Sequence, residues 1–332
     1  MKSHKISRKE FMASMSMFGA SMLIGSKSLI AMNNLDQSVI KLSLSQWALH
    51  RAIFGNSKEN YEEWKRLLYS DPDKLWQGNL HPLDFPKKAK ELGFDAVEYV
   101  NSLIFGHAQD KKFLNELKNR TDSEGIENLL IMIDEEGFIG HPDSKERNTA
   151  IQNHEKWMEA AKLLNCHSVR VNAFSMGNPE EQKKLAAEGL RKLAEKAEEY
   201  DLNVLIENHG GMSSNADWLV ETIELADHKR IGTMVDFDNF IYSDEFIWGD
   251  GKVYDRYEGV KKLMPYAKSV SAKTYDFDSE GSETTIDYNR MIKIVEDSGY
   301  KGYISVEYEG HELSEEKGIL ATKNLIKKVT KE

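Results

Sequence analysis

Short apolar runs alternate with longer amphipathic stretches along most of this chain. Eight runs are rich in β-branched and other apolar residues, and apolar positions recur at helical spacing between them. The runs cover residues 41–49, 95–100, 127–134, 167–174, 203–208, 230–237, 268–275 and 302–309. This alternation is typical of β–α units that build a parallel sheet.

The intervening stretches predict helices, the clearest of them over residues 156–164, 180–200, 216–226 and 288–298. Eight β–α repeats in about 270 residues match the size of a (β/α)₈ TIM barrel. An open doubly wound sheet would also alternate, but no GxGxxG or GxxxxGK[ST] motif follows any of the runs. The pattern therefore favours a single α/β domain, a TIM barrel over residues 41–328.

The first 31 residues differ from the rest of the chain. A basic start leads into a Met-, Ser- and Gly-rich, mildly apolar run that ends at Ala31. We expect residues 1–31 to be a signal peptide, with an amphipathic helix that stays attached as the alternative. Residues 7–12, SRKEFM, resemble a twin-arginine leader in which Lys9 replaces the second arginine. The apolar run is too short and too polar to span a membrane. Since we expect residues 1–31 to be a signal peptide, we also expect an exported, periplasmic protein.

The charge of the chain argues against nucleic-acid partners. The formal net charge is −11, and loss of the five basic residues and one acidic residue of the leader would leave −15. Such a surface repels phosphates. The single cysteine, Cys166, excludes an internal disulfide, and we interpret it as a packing residue.

Residues 50–86 are longer than a simple connection between a strand and its helix. We interpret this segment as an insertion over the barrel mouth, where such loops usually set specificity. A folded decoration without a functional role is the alternative.

Ionisable residues occur where successive predicted strands end. Glu207 ends the fifth run, Asp236 the sixth, Lys273 comes late in the seventh and Glu307 in the eighth. In a TIM barrel these ends meet at one face, which carries the active site. Carboxylates placed so close together repel one another, and a divalent cation is the usual remedy.

Three motifs reveal a family resemblance. LIENHGG (205–211), VDFDNF (235–240) and GYKGYISVEYEG (299–310) resemble the xylose-isomerase-like TIM barrels. That group includes sugar (phosphate) isomerases and epimerases and, more distantly, the family-2 apurinic endonucleases. The resemblance implies a divalent metal, Mn²⁺ or Mg²⁺ for this chain, whose ligand positions become Glu207, Asp236, Ser271 and Glu307.

Ser271 departs from the family pattern, which has histidine there, and a hydroxyl is a poor substitute for imidazole. Three arrangements stay open. The metal could be held by Glu207, Asp236 and Glu307 with water or substrate. His209 could replace the missing ligand. The third arrangement has no metal and places the Lys273 ammonium among the carboxylates.

Further polar and aromatic residues are expected to contact substrate at the mouth. An arginine at the end of strand four could hold a substrate oxygen in a bidentate contact, and a tryptophan after strand one could stack on a sugar face. The expected substrate contacts are Arg170, Asn172, His209, Trp47, His50, Glu98 and Asp134.

The resemblance implies an enzyme that removes a proton next to a carbonyl of a carbohydrate, with Glu207, Glu307 and Lys273 as catalytic residues. Isomerisation, epimerisation and β-elimination on a 3-keto-glycoside all begin with this step. The expected partner is a small-molecule carbohydrate. The alternative is a barrel that binds a glycan without catalysing a reaction, which is favoured by Ser271 in place of the family's histidine. Phosphodiester hydrolysis is a weaker one, because the chain has only ten histidines.

Overall fold

Eight parallel strands close into a barrel in the computed structural model, which describes residues 40–245 and 247–330. Around the barrel the order is β1, β2, β3, β4, β5, β6, β9 and β10, and β10 pairs with β1. The strands are β1 Lys41–Ser45, β2 Ala96–Val100, β3 Glu127–Met132, β4 Ser168–Val171, β5 Asn203–Glu207, β6 Ile231–Asp236, β9 Ala267–Thr274 and β10 Tyr303–Tyr308. The predicted (β/α)₈ barrel is confirmed.

Within the described residues, eight helices surround the barrel because their apolar faces pack on the outward side chains of the strands. They are α3 Phe85–Glu91, α4 Lys111–Glu124, α5 Ser144–Leu163, α6 Pro179–Tyr200, α7 Ala216–Ala226, α8 Arg256–Leu263, α9 Tyr288–Asp297 and α10 Glu315–Val329. Two further helices, α1 His50–Phe54 and α2 Tyr61–Ser70, belong to the connection between β1 and α3. A small hairpin, β7 Ile241–Tyr242 with β8 Lys252–Val253, follows β6.

The barrel interior has an apolar half and a polar half. Leucine and methionine side chains of β3, β5 and β6 pack together on one side. The side formed by β9, β10, β1 and β2 instead holds buried polar residues, namely Ser43, Ser45, Glu98, Ser269, Ser271 and Ser305. TIM barrels are ordinarily filled by bulky branched side chains, so the polar half is unusual.

The expected signal peptide, residues 1–31, lies outside the described residues. Within the described ranges, no helix has the length and hydropathy needed to cross a membrane.

Candidate active site

A cavity of about 410 Å³ opens at the carboxyl ends of the barrel strands. Charged groups at the strand ends form its floor, and aromatic residues from the surrounding loops form much of its wall. Its lining consists of Trp47, Lys58, Tyr61, Trp64, Val100, Ser102, Met132, Asp134, Glu135, Arg170, Asn172, Phe174, Glu207, His209, Asn239, Trp248, Lys273, Glu307 and Glu309.

Lys273, near the end of β9, is surrounded by carboxylates. Its Nζ donates to Glu307 Oε1 at 2.5 Å and to Glu309 Oε1 at 3.1 Å, and lies 3.7 Å from Asp236 Oδ2. Burial alone lowers the pKa of Lys273, but these carboxylates, Glu307 first, more than offset burial and raise it well above its usual value. Lys273 therefore carries its charge in the folded protein, and its third N–H has no hydrogen-bond acceptor among the described residues.

Arg170, at the end of β4, is the second cation of the floor. Its Nη1 donates to Asp134 Oδ1 at 2.6 Å, and its Nε lies 2.8 Å from Glu207 Oε2. The second contact is an ion pair without an aligned hydrogen bond, because neither atom has a hydrogen-bond partner among the described residues. Burial opposes ionisation of Asp134, yet the Arg170 charge lowers the pKa of this carboxyl to about 2.

A chain of hydrogen bonds fixes the His209 ring. Asn172 Nδ2 donates to Asp134 Oδ1 at 2.8 Å, which leaves Asn172 Oδ1 as the acceptor for His209 Nδ1, also at 2.8 Å. This network assigns the proton of His209 to Nδ1 and makes Nε2 an acceptor. Burial, followed by the Arg170 charge, lowers the pKa of His209 to about 3, so the ring is neutral.

Two carboxyl groups at the ends of the barrel strands are deeply buried. Burial raises the pKa of Glu207 well above its usual range despite the Arg170 charge, and raises the pKa of Asp236 to about 6 despite Lys273. Asp236 Oδ1 accepts from the backbone N–H groups of Asp238 and Asn239, whereas Oδ2 makes no hydrogen bond with any residue that the structure describes. Glu207 on β5 and Glu307 on β10 are separated by β6 and β9, so they face each other across much of the eight-stranded barrel.

The family model described as "xylose isomerase-like TIM barrel" matches residues 86–329, well over half of the chain. The chain belongs to this family. The resemblance drawn from the three motifs is thereby confirmed.

Two curated proteins match parts of the chain. The C-glycoside deglycosidase alpha subunit of Arthrobacter globiformis is 43% identical over 49 residues, 15% of this chain and 14% of that protein. The inosose dehydratase of Clostridium perfringens is 25% identical over 146 residues, 39% of this chain and 48% of that protein. The matches thus span less than half the length of either relative.

Solved structures match over most of the barrel. The 3-keto-D-glucoside 4-epimerase of E. coli has a TM-score of 0.61 at 16% identity, covering 75% of this chain and 94% of its own. An L-ribulose 3-epimerase has a TM-score of 0.63 at 13% identity, covering 88% and 95%. A xylose isomerase-like barrel of Mycobacterium smegmatis in complex with magnesium has a TM-score of 0.58 at 16%, covering 88% and 97%. At these identities the likeness shows the fold.

The donor set in this family member does not fit the divalent ion that the resemblance implies. Each expected carboxylate ligand already lies beside a cation, Glu207 beside Arg170 and both Asp236 and Glu307 beside Lys273. Within the described ranges, no group of three or more His, Cys, Asp or Glu side chains is placed to hold a metal. The Nδ1 of His209 is bonded to Asn172, so only its Nε2 could bind a metal, and His209 belongs to no such group within the described ranges. Bound Mn²⁺ or Mg²⁺ stays a prediction, and the geometry matches the arrangement in which Lys273 balances the carboxylates.

The structure brings most of the predicted site residues to the cavity. Trp47 lies in the lining, where its Nε1 donates to Glu309 Oε1 at 2.6 Å. Asp236 lies beneath the floor and is fully buried. His50 is not in the lining, because its ring stacks behind Trp47 and its Nδ1 donates to the Trp47 carbonyl.

Glu98 is not at the mouth either, which corrects its expected place among the substrate contacts. It is fully buried in the polar half of the barrel, where Ser43 and Ser269 donate to its Oε1 at 3.4 and 3.1 Å. The side chain of Glu98 points into the barrel. Because β2 continues for two more residues, to Val100, Glu98 lies below the cavity and not at the end of the strand.

Several lining residues come from loops and were not predicted as site residues. Lys58, Tyr61 and Trp64 belong to the segment between β1 and α3, which therefore does lie at the mouth. Trp248 lies between the hairpin strands and packs edge-on against His209 at a ring distance of 4.6 Å. The aromatic residues of the segment 50–86 were the available signal in the sequence, but nothing in their spacing placed them on the cavity.

Proposed function

We propose that this protein removes a proton from a carbon next to the carbonyl of a sugar or keto-glycoside and thereby forms an enediolate. The observation that carries the proposal is the pair of cavity carboxylates, Glu207 and Glu307, on opposite parts of the floor with the Lys273 ammonium beside one of them. Such an arrangement offers a proton acceptor, a proton donor and a cation for the developing oxyanion.

Each group has a separate role in the proposed step. Glu307, ionised in its ion pair with Lys273, takes the proton from carbon. Lys273 donates its third N–H to the carbonyl oxygen as that oxygen gains negative charge. Glu207, whose carboxyl group burial favours in the protonated form, returns a proton from the other side, which gives epimerisation. Return of the proton to the neighbouring carbon gives isomerisation, and loss of a β-oxygen substituent from the enediolate gives elimination.

The relatives support a keto-glycoside as the substrate class. One curated relative is named a C-glycoside deglycosidase subunit, and one solved structure a 3-keto-D-glucoside 4-epimerase. Export through residues 1–31 is part of the proposal, because sugar phosphates are cytoplasmic and an exported enzyme would act on unphosphorylated sugars. In the alternative, Mn²⁺ or Mg²⁺ held by Glu207, Asp236 and Glu307 would stabilise the oxyanion in place of Lys273. Removal of divalent ions by a chelator distinguishes the two, because only the metal-assisted reaction would then stop.

Hydrogen exchange tests the proposal. Methyl 3-keto-glucoside is incubated with protein in D₂O, and loss of the C–H signal next to the ketone is followed by proton NMR against a protein-free sample. Glu207→Gln and Glu307→Gln should each slow the exchange by about 10²-fold or more, since a positioned acid or base supplies that much. Far-UV circular dichroism checks that both variants fold.

Glu136→Gln is the matched control. Glu136 is also a buried glutamate, held by Trp157 Nε1 at 2.6 Å and Lys156 Nζ at 2.7 Å, but it does not line the cavity. This variant should exchange at the wild-type rate. A Glu307→Gln protein that exchanges as fast as wild type would refute the proposed role, and sugar binding without exchange would favour the glycan-binding barrel.

A further inference from the structure

Lys58 differs from the other cations of the cavity. Arg170 and Lys273 each have a carboxylate oxygen within 3 Å, at 2.6 Å for Arg170 and 2.5 Å for Lys273. Lys58 Nζ has no carboxylate oxygen of a described residue within the 4.0 Å that defines an ion pair. It also makes no hydrogen bond with any residue in the described ranges. Its three N–H groups are therefore available to a molecule in the cavity.

Two tryptophan rings hold the Lys58 side chain in place. Its Nζ lies 4.2 Å from the centroid of Trp47 and 5.2 Å from that of Trp64. Trp47 is fixed by its hydrogen bond to Glu309, and Trp64 is buried and stacked on Tyr61. Cation–π attraction of this kind keeps the ammonium group on the cavity wall without neutralising its charge.

The carboxylates whose charges act on Lys58 are already bonded to other groups. Glu309 accepts from Trp47 and Lys273, and Asp134 accepts from Arg170 and Asn172.

Glu135, the third of these carboxylates, forms an ion pair with Lys65, whose Nζ lies 3.6 Å from Glu135 Oε2. Burial lowers the pKa of Lys58, so its charge is partly desolvated without a close anion in compensation. The positive charge of Lys58 therefore has no ion-pair partner among the described residues.

We propose that Lys58 binds a carboxylate group of the substrate, which makes the substrate an acidic sugar or a glycoside with an acidic substituent. An anion at this position would supply the ion pair that Lys58 lacks and would be bound in a partly desolvated site, where charge-assisted hydrogen bonds are strong. The inference rests on the proposed function only in that a sugar occupies the same cavity.

The purely structural role for Lys58 is to cover the two tryptophans with its aliphatic stem. Lys58→Met separates the two roles, because methionine retains most of the stem and removes the charge. Lys58→Arg retains the charge. Lys65→Met is the matched control, since Lys65 belongs to the same segment and is paired with Glu135 but does not line the cavity.

Equilibrium binding of D-glucuronate and D-glucose, measured by calorimetric titration at low salt, tests the inference. The two sugars differ by a carboxylate. Wild type, Lys58→Arg and Lys65→Met should bind D-glucuronate about tenfold or more tighter than D-glucose, and Lys58→Met should lose this preference. Raising the ionic strength should weaken the preference in wild type.

Three outcomes would overturn the inference: equal affinities in wild type, no binding of D-glucuronate, or an unchanged preference in a folded Lys58→Met protein. The outcome is independent of the proposed chemistry, because binding needs no turnover. If the wild-type protein exchanges hydrogen on the neutral keto-glycoside but shows no preference for D-glucuronate, the role proposed for Lys58 is refuted and the proposed function stands. If the protein prefers D-glucuronate but does not exchange hydrogen on the keto-glycoside, the proposed proton transfer is refuted and the role proposed for Lys58 stands.

Discussion

At the scale of single residues, the site is organised by charge pairing. Lys273 touches Glu307 and Glu309 and approaches Asp236, while Arg170 joins Asp134 and Glu207. Buried carboxylates at this density would repel one another without a cation among them. Two side chains of the protein supply that charge at the place where the family resemblance expects a metal ion.

Removal of the lysine charge should therefore affect both the fold and the chemistry. We expect Lys273→Met to lower the free energy of unfolding by about 3–5 kcal/mol, the usual cost of leaving a buried charge unpaired. It should also abolish hydrogen exchange on the keto-glycoside, because the oxyanion loses its donor. Urea unfolding and proton NMR in D₂O measure the two effects.

Lys268→Met is the control for this prediction. Lys268 belongs to the same strand, β9, but lies at its opposite end and does not line the cavity. It should keep the exchange rate and most of the stability of wild type. If Lys273→Met exchanged and unfolded like Lys268→Met, the lysine would not be the charge that organises the floor.

The sequence predicts the residues of the floor better than those of the wall. Glu207, Lys273 and Glu307 follow buried strands, and the barrel geometry brings strand ends to one face. Alternation along β2 also indicates that Glu98 faces inward, but it gives no depth, and the serines around Glu98 show that it lies below the cavity. Lys58 depends on the path of a long loop, which no local pattern specifies.

At the scale of elements, the periodic segments were predictable and their ends less so. The helix over 216–226 has the predicted bounds, whereas the helix predicted over 156–164 is the last part of α5, Ser144–Leu163. Its early turns are polar, and it begins where the Asp143 side chain accepts from the backbone of Lys145 and Glu146. The first strand is shorter than the run 41–49 because Gln46–Leu49 form a 3₁₀ turn capped by Ser45.

That turn matters for the site, because it changes the direction of the chain directly after β1. Residues 50–84 then cross the mouth and bring Lys58, Tyr61 and Trp64 to the cavity. The hairpin after β6 brings Trp248 to the same cavity, with 58% of its side chain exposed. Barrel strands thus supply the charges, and loops supply the aromatic surface that would contact the rest of the substrate.

At the scale of the whole molecule, burial of ionisable groups links stability to pH. His154, on α5, is buried and its Nδ1 donates to the Ala150 carbonyl at 2.7 Å. Burial lowers its pKa from 6.5 to about 4, so the unfolded chain binds a proton at a pH where the folded chain does not. The free energy of unfolding should therefore fall as the pH drops from about 6.5 to about 4.

The His154→Gln variant should show a shallower fall over this range. A shift of this size corresponds to on the order of 3 kcal/mol, at about 1.4 kcal/mol for each pKa unit. Urea unfolding at pH 7, 6 and 5 measures the slope, and exposed His311→Gln is the control. Parallel pH profiles for wild type and His154→Gln would show that the pKa of His154 is the same in the folded and unfolded chain and would contradict this prediction.

Hydrogen exchange by the wild-type protein after exhaustive chelation tests the central claim most directly. The protein is freed of divalent ions, its metal content is checked by elemental analysis, and methyl 3-keto-glucoside is added in D₂O. We predict that deuterium enters next to the ketone well above the protein-free rate, and that added Mn²⁺ or Mg²⁺ does not change this rate. Absence of exchange would contradict the proposed chemistry, and exchange only with added metal would contradict the role assigned to Lys273.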